Sequence, residues 1–403
     1  MLDRFLQPKH ALYFLIVFAF IKYTVYFGAM VSGYDEYTVG GDFNAFWTAA
    51  GAILNGDALT LYAPDGLQTV MKEDFPDRHI EGLHWQYPPH AALIFSPIGT
   101  LPFFVAYGLW FLIGLAVFAV AMGSISNRDH VWMALLATGP VSVAFGTGQT
   151  SLITTGLLLL SVFFAKKRPV IAGLAAALLT IKPQLGIFLP LVFICGGHWR
   201  AFAVAALASL ALWFGSAALL GVDVWRAFFE RIFAVTGWIG DGIMPHHKML
   251  SIHSALLQAA IPQAIADSVS GICALCGVGI VVWVCRKTND PRWRYAVVSA
   301  TTVLILPYSW FYEFVILVPA IWFVVRQGYR SGWLIYERES VAFLVLFFVL
   351  VPGPEMTVGL SMSFVCAVGA AVIIARRVNY ELRPAARRSA IMHADKFPVP
   401  KLG

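Results

Sequence analysis

Apolar runs of roughly 17–25 residues recur from one end of the chain to the other, separated by short polar stretches. They fall at 11–31, 101–123, 131–147, 201–220, 266–285, 309–325 and 357–375, with shorter runs at 151–165, 169–181, 184–197, 295–306 and 341–352. This pattern predicts an all-α, polytopic integral membrane protein of about 10–12 transmembrane helices, with twelve preferred. A β-barrel would show short segments of alternating polarity, which this chain lacks. The runs at 169–181 and 184–197 are the weak point. A helix of about 13 residues covers only ~20 Å at 1.5 Å per residue, short of a ~30 Å hydrocarbon core. They read as tilted partial spans or as a re-entrant pair around a cavity.

The polar intervals divide one transmembrane domain, 1–376, from a basic tail, 377–403. A first outer loop, 32–90, carries nine acids, and a second spans 221–262. Inside the first loop, Phe43, Phe46, Trp47, Ala50, Ile53 and Leu54 recur at helical spacing, with Asn44, Thr48 and Gly51 opposite. That stripe predicts a helix over 43–54 lying along the membrane interface, stopped by Asn55-Gly56. A second short helix is expected at 251–261, before Pro262. No small-x-small cleavage site follows 11–31, so this run reads as an uncleaved span.

The net charge of +6 gains meaning from its placement. Threaded with the N-terminus inside, 21 of the 28 Lys and Arg lie on the inner side. Six (Lys72, Arg78, Lys182, Arg226, Arg231 and Lys248) lie outside, and Lys22 lies within the first run. That is the positive-inside bias of a plasma-membrane protein with both termini cytoplasmic, and it excludes a nucleic-acid patch. Cys273 and Cys276 form a C-x-x-C within an apolar run, where a small-residue helix surface is the plainer reading than redox or zinc chemistry.

Candidate chemistry collects at the outer ends of the runs. Ionisable and polar groups at membrane depth are costly and mark function. Asp42, in Gly40-Gly41-Asp42-Phe43, reads either as the cap of helix 43–54 or as a general base. Tyr87-Pro88-Pro89 reads mainly as a structural helix-entry turn, or else as a rigid corner holding Tyr87 and His90 at the rim of a site. Gln149, after Gly148, offers donors and an acceptor suited to sugar hydroxyls, or to a neighbouring helix. Lys182, in Lys182-Pro183-Gln184, either snorkels or clamps a phosphate. Tyr308, Tyr312 and Glu313 start a later run, and Glu313 requires a cation, with Lys182 one candidate. His246, His247, Lys248 and His253 form an outer cluster whose spacing does not specify a metal, so it reads as phosphate-facing or solvated.

In this order the motifs resemble glycosyltransferase family 87, the polyprenyl-phosphate-mannose-dependent α-mannosyltransferase group with the membrane C-type fold. The resemblance covers about 40–325 and rests on Gly41-Asp42-Phe43, Leu61-Tyr62-Ala63-Pro64, Tyr87-Pro88-Pro89 and Gly148-Gln149-Thr150-Ser151. It continues through Arg168-Pro169 with Ala172-Gly173, Lys182-Pro183-Gln184, Trp199-Arg200, and Pro307-Tyr308 with Tyr312-Glu313. It implies inverting transfer of a hexose, by default mannose, from a polyprenyl-phosphate donor to an envelope glycan or glycolipid on the non-cytoplasmic face. It implies no metal, cofactor or nucleotide sugar. Asp42 takes the position of the family's base. The donor phosphate falls to Lys182 first, then to His246, His247 and Lys248. Tyr87, His90, Gln149, Gln184, Tyr308, Tyr312 and Glu313 would hold substrate. Glu313 departs from the aspartate frequent in the family. The main rival is a transporter or flippase of lipid-linked sugars, which would show repeated halves and matching helix breaks. The break around Lys182 has no counterpart in the second half. A non-catalytic envelope assembly protein is a third reading.

Overall fold

The structure is a computed structural model. It describes residues 40–75, 83–126, 136–240, 246–350, 357–358 and 360–384, together with residues 17, 21, 23–25, 28 and 133. The expected span 11–31 and the tail beyond 384 fall largely or wholly outside the described residues. Of the first run, Val17, Ile21 and Val25 are exposed, while Tyr23 packs its ring on Phe111 and Phe145.

The protein is all-α apart from a two-stranded antiparallel hairpin, β1 (Thr357–Val358) and β2 (Leu360–Ser361). Among the described residues, five helices are long and apolar enough to cross a membrane: Phe103–Ile125, Trp199–Leu220, Gln263–Lys287, Phe311–Ser331 and Met362–Glu381. All five coincide with predicted runs. The exposed leucines, valines and isoleucines of Phe103–Ile125 and Gln263–Lys287, and Leu207, Phe214 and Leu219 of Trp199–Leu220, are what a lipid-facing surface requires, whereas Phe311–Ser331 is largely buried. The chain is a polytopic membrane protein, and it gathers into two compact units, 1–189 with 198–245, and 190–197 with 246–403.

The first unit contains α1 (Phe43–Leu54), α2 (Gly66–Asp74), α3 (Pro89–Phe95), α4 (Phe103–Ile125), α5 (Gly139–Gly146), α6 (Ser151–Phe164) and α7 (Pro169–Leu178). The short α8 (Leu189–Cys195) follows in the chain but belongs, from Pro190 on, to the second unit, and α9 (Trp199–Leu220) and α10 (Val222–Gly240) complete the first. Helices α4, α6, α7 and α9 pack in sequence, α6 against α4 and α7, and α7 against α9. Gly173 makes the last contact possible: a Cβ there would meet Val204 Cβ at 2.6 Å and the Ala201 carbonyl at 2.8 Å. Helix α1 has the predicted bounds but not the predicted setting. Asn44 and Thr48, on the face expected to be wet, are 2% and 0% exposed. The helix buries its polar face as well as its apolar one. It is inserted into an aromatic core in which Phe46 contacts Trp85, Tyr87, Phe95 and Trp110. Thr48 tolerates burial because its hydroxyl donates to Asp74 Oδ2 at 2.9 Å.

The stretch 221–262 is likewise not a simple loop. Helix α10 occupies 19 residues of it. Val224, Trp225 and Phe228 face the core, while Arg226 and Glu230 pair at 3.4 Å on the exposed side. Around Lys182 the expected shortness is real. Helix α7 tightens into a 3-10 turn, Leu179–Ile181, and the chain then re-forms a 3-10 turn, Pro183–Gly186, before α8.

The second unit holds α11 (Ile252–Gln258), α12 (Gln263–Lys287), α13 (Pro291–Ile305), α14 (Val318–Ser331), α15 (Glu337–Leu350) and α16 (Met362–Glu381). Helix α13 is central, packed on α12, α14 and α16. Arg377, expected to open the basic tail, is instead fully buried within α16. Its guanidinium donates to both Glu337 carboxylate oxygens and, at 3.0 Å, to the Gly332 carbonyl.

Candidate active site

The first unit assembles Asp42, Tyr87, Gln149 and Lys182 into one hydrogen-bonded network. Two tight turns make this possible. Gly41 has φ +46°, and a Cβ on it would approach Thr147 Cα to 2.8 Å. Gly148 has φ +66°, and a Cβ there would sit 2.4 Å from Phe43 Cβ. Only glycine allows both the left-handed backbone and the close approach. The two turns then lock together: Phe43 N–H donates to the Thr147 carbonyl at 3.0 Å, and Trp110 Nε1–H to the Gly148 carbonyl at 2.8 Å.

Asp42 occupies the N-cap position of α1 but makes no side-chain cap. Its Oδ2 instead accepts from Gln149 Nε2 at 2.6 Å. The capping reading is therefore set aside for the side chain, and the carboxylate faces the network. Gln149 Oε1 accepts from Lys182 Nζ at 3.1 Å, from Tyr87 Oη at 3.2 Å and from the Thr150 amide at 3.3 Å. Three donors on the oxygen fix the amide orientation, which leaves the nitrogen for the carboxylate. Gln149 thus links an anion to a cation through one side-chain amide. Lys182 is 5% exposed, and its Nζ lies 5.5 Å from the centroid of the Tyr87 ring. It does not snorkel; its ammonium is held inside the protein. Tyr87 lies at the expected helix entry. Its carbonyl accepts from Tyr62 Oη at 2.8 Å while Pro89 opens α3 at N1.

His90 departs from expectation. At 1% exposure it is not at a rim but buried, stacked on Trp225 with ring centroids 5.8 Å apart. Its Nε2 lies 3.0 Å from Thr180 Oγ1. The Thr180 hydroxyl donates to the Ala177 carbonyl, so it accepts from His90, which places the ring proton on Nε2. Nδ1 is buried with no partner among the described residues. Burial pushes the His90 pKa down to about 4 against the opposing contact with Thr180, so the imidazole is neutral near pH 7. Thr180 and Trp225 were absent from the sequence reading; the proximity of Thr180 to Lys182 was the available signal. Gln184 is half-buried in the turn Pro183–Gly186 and contributes no hydrogen bond to the network.

The second unit brings its own predicted residues together. His246, His247 and Lys248 form a 3-10 turn that packs on α11. Leu250 N–H donates to the Ser309 carbonyl at 2.7 Å, and Met249 bridges Trp310. Ser251 and Ser254 hydroxyls donate to the Pro307 carbonyl at 3.0 and 3.1 Å. The histidine turn is therefore fastened to the Pro307-Tyr308 motif. Trp310 and Tyr312 stack at 6.3 Å, and Glu313 is buried at the start of the 3-10 segment Phe311–Leu317. Among the described residues no group of three or more His, Cys, Asp or Glu is arranged to hold a metal ion.

Three mycobacterial proteins are similar to this chain. A polyprenol-phosphate-mannose-dependent alpha-(1-2)-phosphatidylinositol pentamannoside mannosyltransferase of Mycobacterium tuberculosis (strain CDC 1551 / Oshkosh) is 24% identical over 68% of this chain and 66% of its own length. A polyprenol-phosphate-mannose-dependent alpha-(1-2)-phosphatidylinositol mannoside mannosyltransferase of strain ATCC 25618 / H37Rv is 25% identical over 66% and 67%. A pentamannoside enzyme of Mycolicibacterium smegmatis, named like the first, is 26% identical over 68% and 70%. The chain thus spans about two thirds of the length of these relatives. No solved structure matches it. The model of glycosyltransferase family 87 matches residues 85–307, which include Tyr87, Gln149 and Lys182 and more than half of the sequence, so this chain belongs to glycosyltransferase family 87.

Proposed function

We propose that this protein transfers a mannosyl residue from a polyprenyl-phosphate donor to a glycolipid or envelope-glycan acceptor, with inversion and without a metal, on the non-cytoplasmic face of the plasma membrane. The relatives' names supply the donor class, and their phosphatidylinositol mannosides are the model for the acceptor. The observation that carries the reading is the Asp42–Gln149–Lys182 network. Asp42 takes the proton from the acceptor hydroxyl, whose oxygen attacks the anomeric carbon. The bond from that carbon to the phosphate oxygen breaks, and the polyprenyl phosphate departs with the electron pair. Lys182, fixed beforehand by Gln149 and Tyr87, meets the developing negative charge. His246, His247 and Lys248 are the second candidates for donor phosphate, and Tyr308, Tyr312, Glu313 and Gln184 for substrate contacts.

The test is Asp42→Asn in nanodisc-reconstituted protein supplied with polyprenyl-phosphate mannose and a phosphatidylinositol mannoside. Turnover should fall by ~10²–10⁴-fold while yield and melting temperature hold. Undiminished turnover would remove Asp42 from the mechanism. A wild-type protein that moves the donor across the bilayer without forming a glycosidic bond would establish the transporter reading instead.

A further inference from the structure

His90 is a buried titratable side chain to which the transfer chemistry above gives no part. It lies on α3, three residues after Tyr87, and the two residues grip the Lys182 segment at different points. The Tyr87 ring lies 5.5 Å from Lys182 Nζ, and its hydroxyl donates to Gln149 Oε1, the same oxygen that accepts from the ammonium. The His90 ring donates from Nε2 to Thr180 Oγ1 at 3.0 Å. Thr180 stands in the 3-10 turn Leu179–Ile181, and only Ile181 separates it from Lys182. The Leu179 carbonyl of that turn accepts from Lys182 N–H at 2.9 Å. One helix thus holds both the ammonium of Lys182 and the backbone that carries it.

The segment needs an outside hold. Helix α7 ends at Leu178, Lys182 has φ −129° and ψ +77°, and the chain re-forms a 3-10 turn only at Pro183–Gly186. Pro183 has no N–H with which to carry a helical ladder across the break. Short 3-10 turns also have poorer hydrogen-bond geometry than an α-helix. The His90 ring is itself fixed. It stacks on Trp225 at an interplanar angle of 16°, and the Trp225 indole N–H donates to Ser216 Oγ at 3.1 Å on α9. His90, Trp225 and Ser216 are all buried. The Thr180 hydroxyl spends its proton on the Ala177 carbonyl at 2.5 Å, so its oxygen is left to accept from His90. The arrangement leaves His90 Nδ1 buried without a partner among the described residues. An apolar ring would fill the same place without that cost, so what the imidazole adds is the Nε2–H bond to the turn.

We infer that His90 is a positioning residue for Lys182: through Thr180 it holds the turn from which the ammonium reaches Gln149. It acts on the backbone that bears Lys182, whereas Tyr87 and Gln149 act on the ammonium itself. The inference rests on the reading of Lys182 as the cation that meets the departing phosphate.

The experiment is single-turnover mannosyl transfer by the full-length protein in nanodiscs, with polyprenyl-phosphate mannose and a phosphatidylinositol mannoside. It separates the rate at saturating donor from the donor concentration that half-saturates it. His90→Phe keeps a ring against Trp225 and deletes the N–H. Its saturated rate should fall by roughly 10–100-fold, the scale of a displaced catalytic group, with half-saturation within about twofold of wild type. His90→Gln carries its amide nitrogen as many bonds from Cα as Nε2 and should recover most of that loss, whereas His90→Asn, one bond shorter, should not. Thr180→Val removes the accepting hydroxyl from a half-buried side chain. It should match His90→Phe, and it decides the matter where His90→Phe does not fold. In a Lys182→Ala background either substitution should cost less than about twofold more, because the group it positions is gone. Wild-type rates in His90→Phe, or in Thr180→Val where only that variant folds, overturn the inference and leave the transferase reading standing. So does a loss that persists in full in the Lys182→Ala background, or one that glutamine lessens no more than asparagine does. A wild-type rate in Lys182→Ala alone removes the reading of Lys182 itself, and the role of His90 with it.

Discussion

Gln149 shows how one neutral side chain can organise two charges. Its amide nitrogen holds Asp42 and its oxygen gathers Lys182 and Tyr87, so a single amide helps orient both charged groups. Replacing Gln149 with leucine keeps the approximate volume but removes both bonds. Transfer should then fall by about a hundredfold, the cost of deleting one preorganised polar partner, with the loss in kcat rather than in KM for the donor. A loss confined to KM would show that Gln149 binds substrate and does not position the base and the cation. At this scale the sequence was informative about identity and silent about partners. Asp42, Gln149 and Lys182 were visible because each interrupts or borders an apolar run, where a polar group needs a reason. That they meet through one amide was not visible, since 107 residues separate Asp42 from Gln149. His90 was misplaced at a rim because nothing local reveals Trp225 stacked over it.

At the scale of elements, the site is made by the interlocking of two turns, Gly40–Phe43 and Thr147–Gln149. Helix α1 was legible to its bounds because its apolar spacing is regular and Asn55-Gly56 ends it. Its burial on both faces was not, because Asn44 and Thr48 read as solvent-facing until their partners, the Gly41 carbonyl and Asp74, are known. Helix α10 escaped notice because Asp223, Arg226, Glu230 and Arg231 dilute its apolar stripe to the polarity of a loop. The turns themselves yield a sharp prediction. Gly148→Ala places a Cβ 2.4 Å from Phe43 Cβ on a left-handed backbone, so it should destabilise the protein by roughly 1–3 kcal/mol and displace Asp42. Gly51→Ala is the internal control. It lies in α1 with nothing within 4 Å of the added methyl, and it should stabilise by up to ~1 kcal/mol through helix propensity. Thermal unfolding in detergent, run beside transfer assays, separates the two. Equal melting temperatures for both variants would remove steric locking as the reason for the Gly148-Gln149 motif.

For the whole molecule, the membrane class was legible from composition and run length alone, whereas the number of crossings was not. Helices α7 and α8 show why: a broken pair around Lys182 has the hydropathy of spans and the length of half-spans. Orientation depends on a different physical quantity, the placement of positive charge, and it fixes which face carries the Asp42 carboxylate. The acidic loop containing Glu73 should lie outside, and the Lys166-Lys167-Arg168 cluster inside. Both are exposed, so accessibility reports side rather than burial. With the five native cysteines, all free in the structure, replaced by serine or alanine, single Glu73→Cys and Lys167→Cys variants can be treated with a membrane-impermeant maleimide in spheroplasts. Glu73→Cys should label at once, and Lys167→Cys only after permeabilisation. Because α1 begins directly after Asp42 and α2 carries Glu73 while packing against α1, the side found for Glu73 is also the side of the Asp42 carboxylate. Labelling in the reverse order would put the Asp42 carboxylate in the cytoplasm. It would remove the extracytoplasmic transfer proposed for the chain while leaving the Asp42–Gln149–Lys182 network as it is.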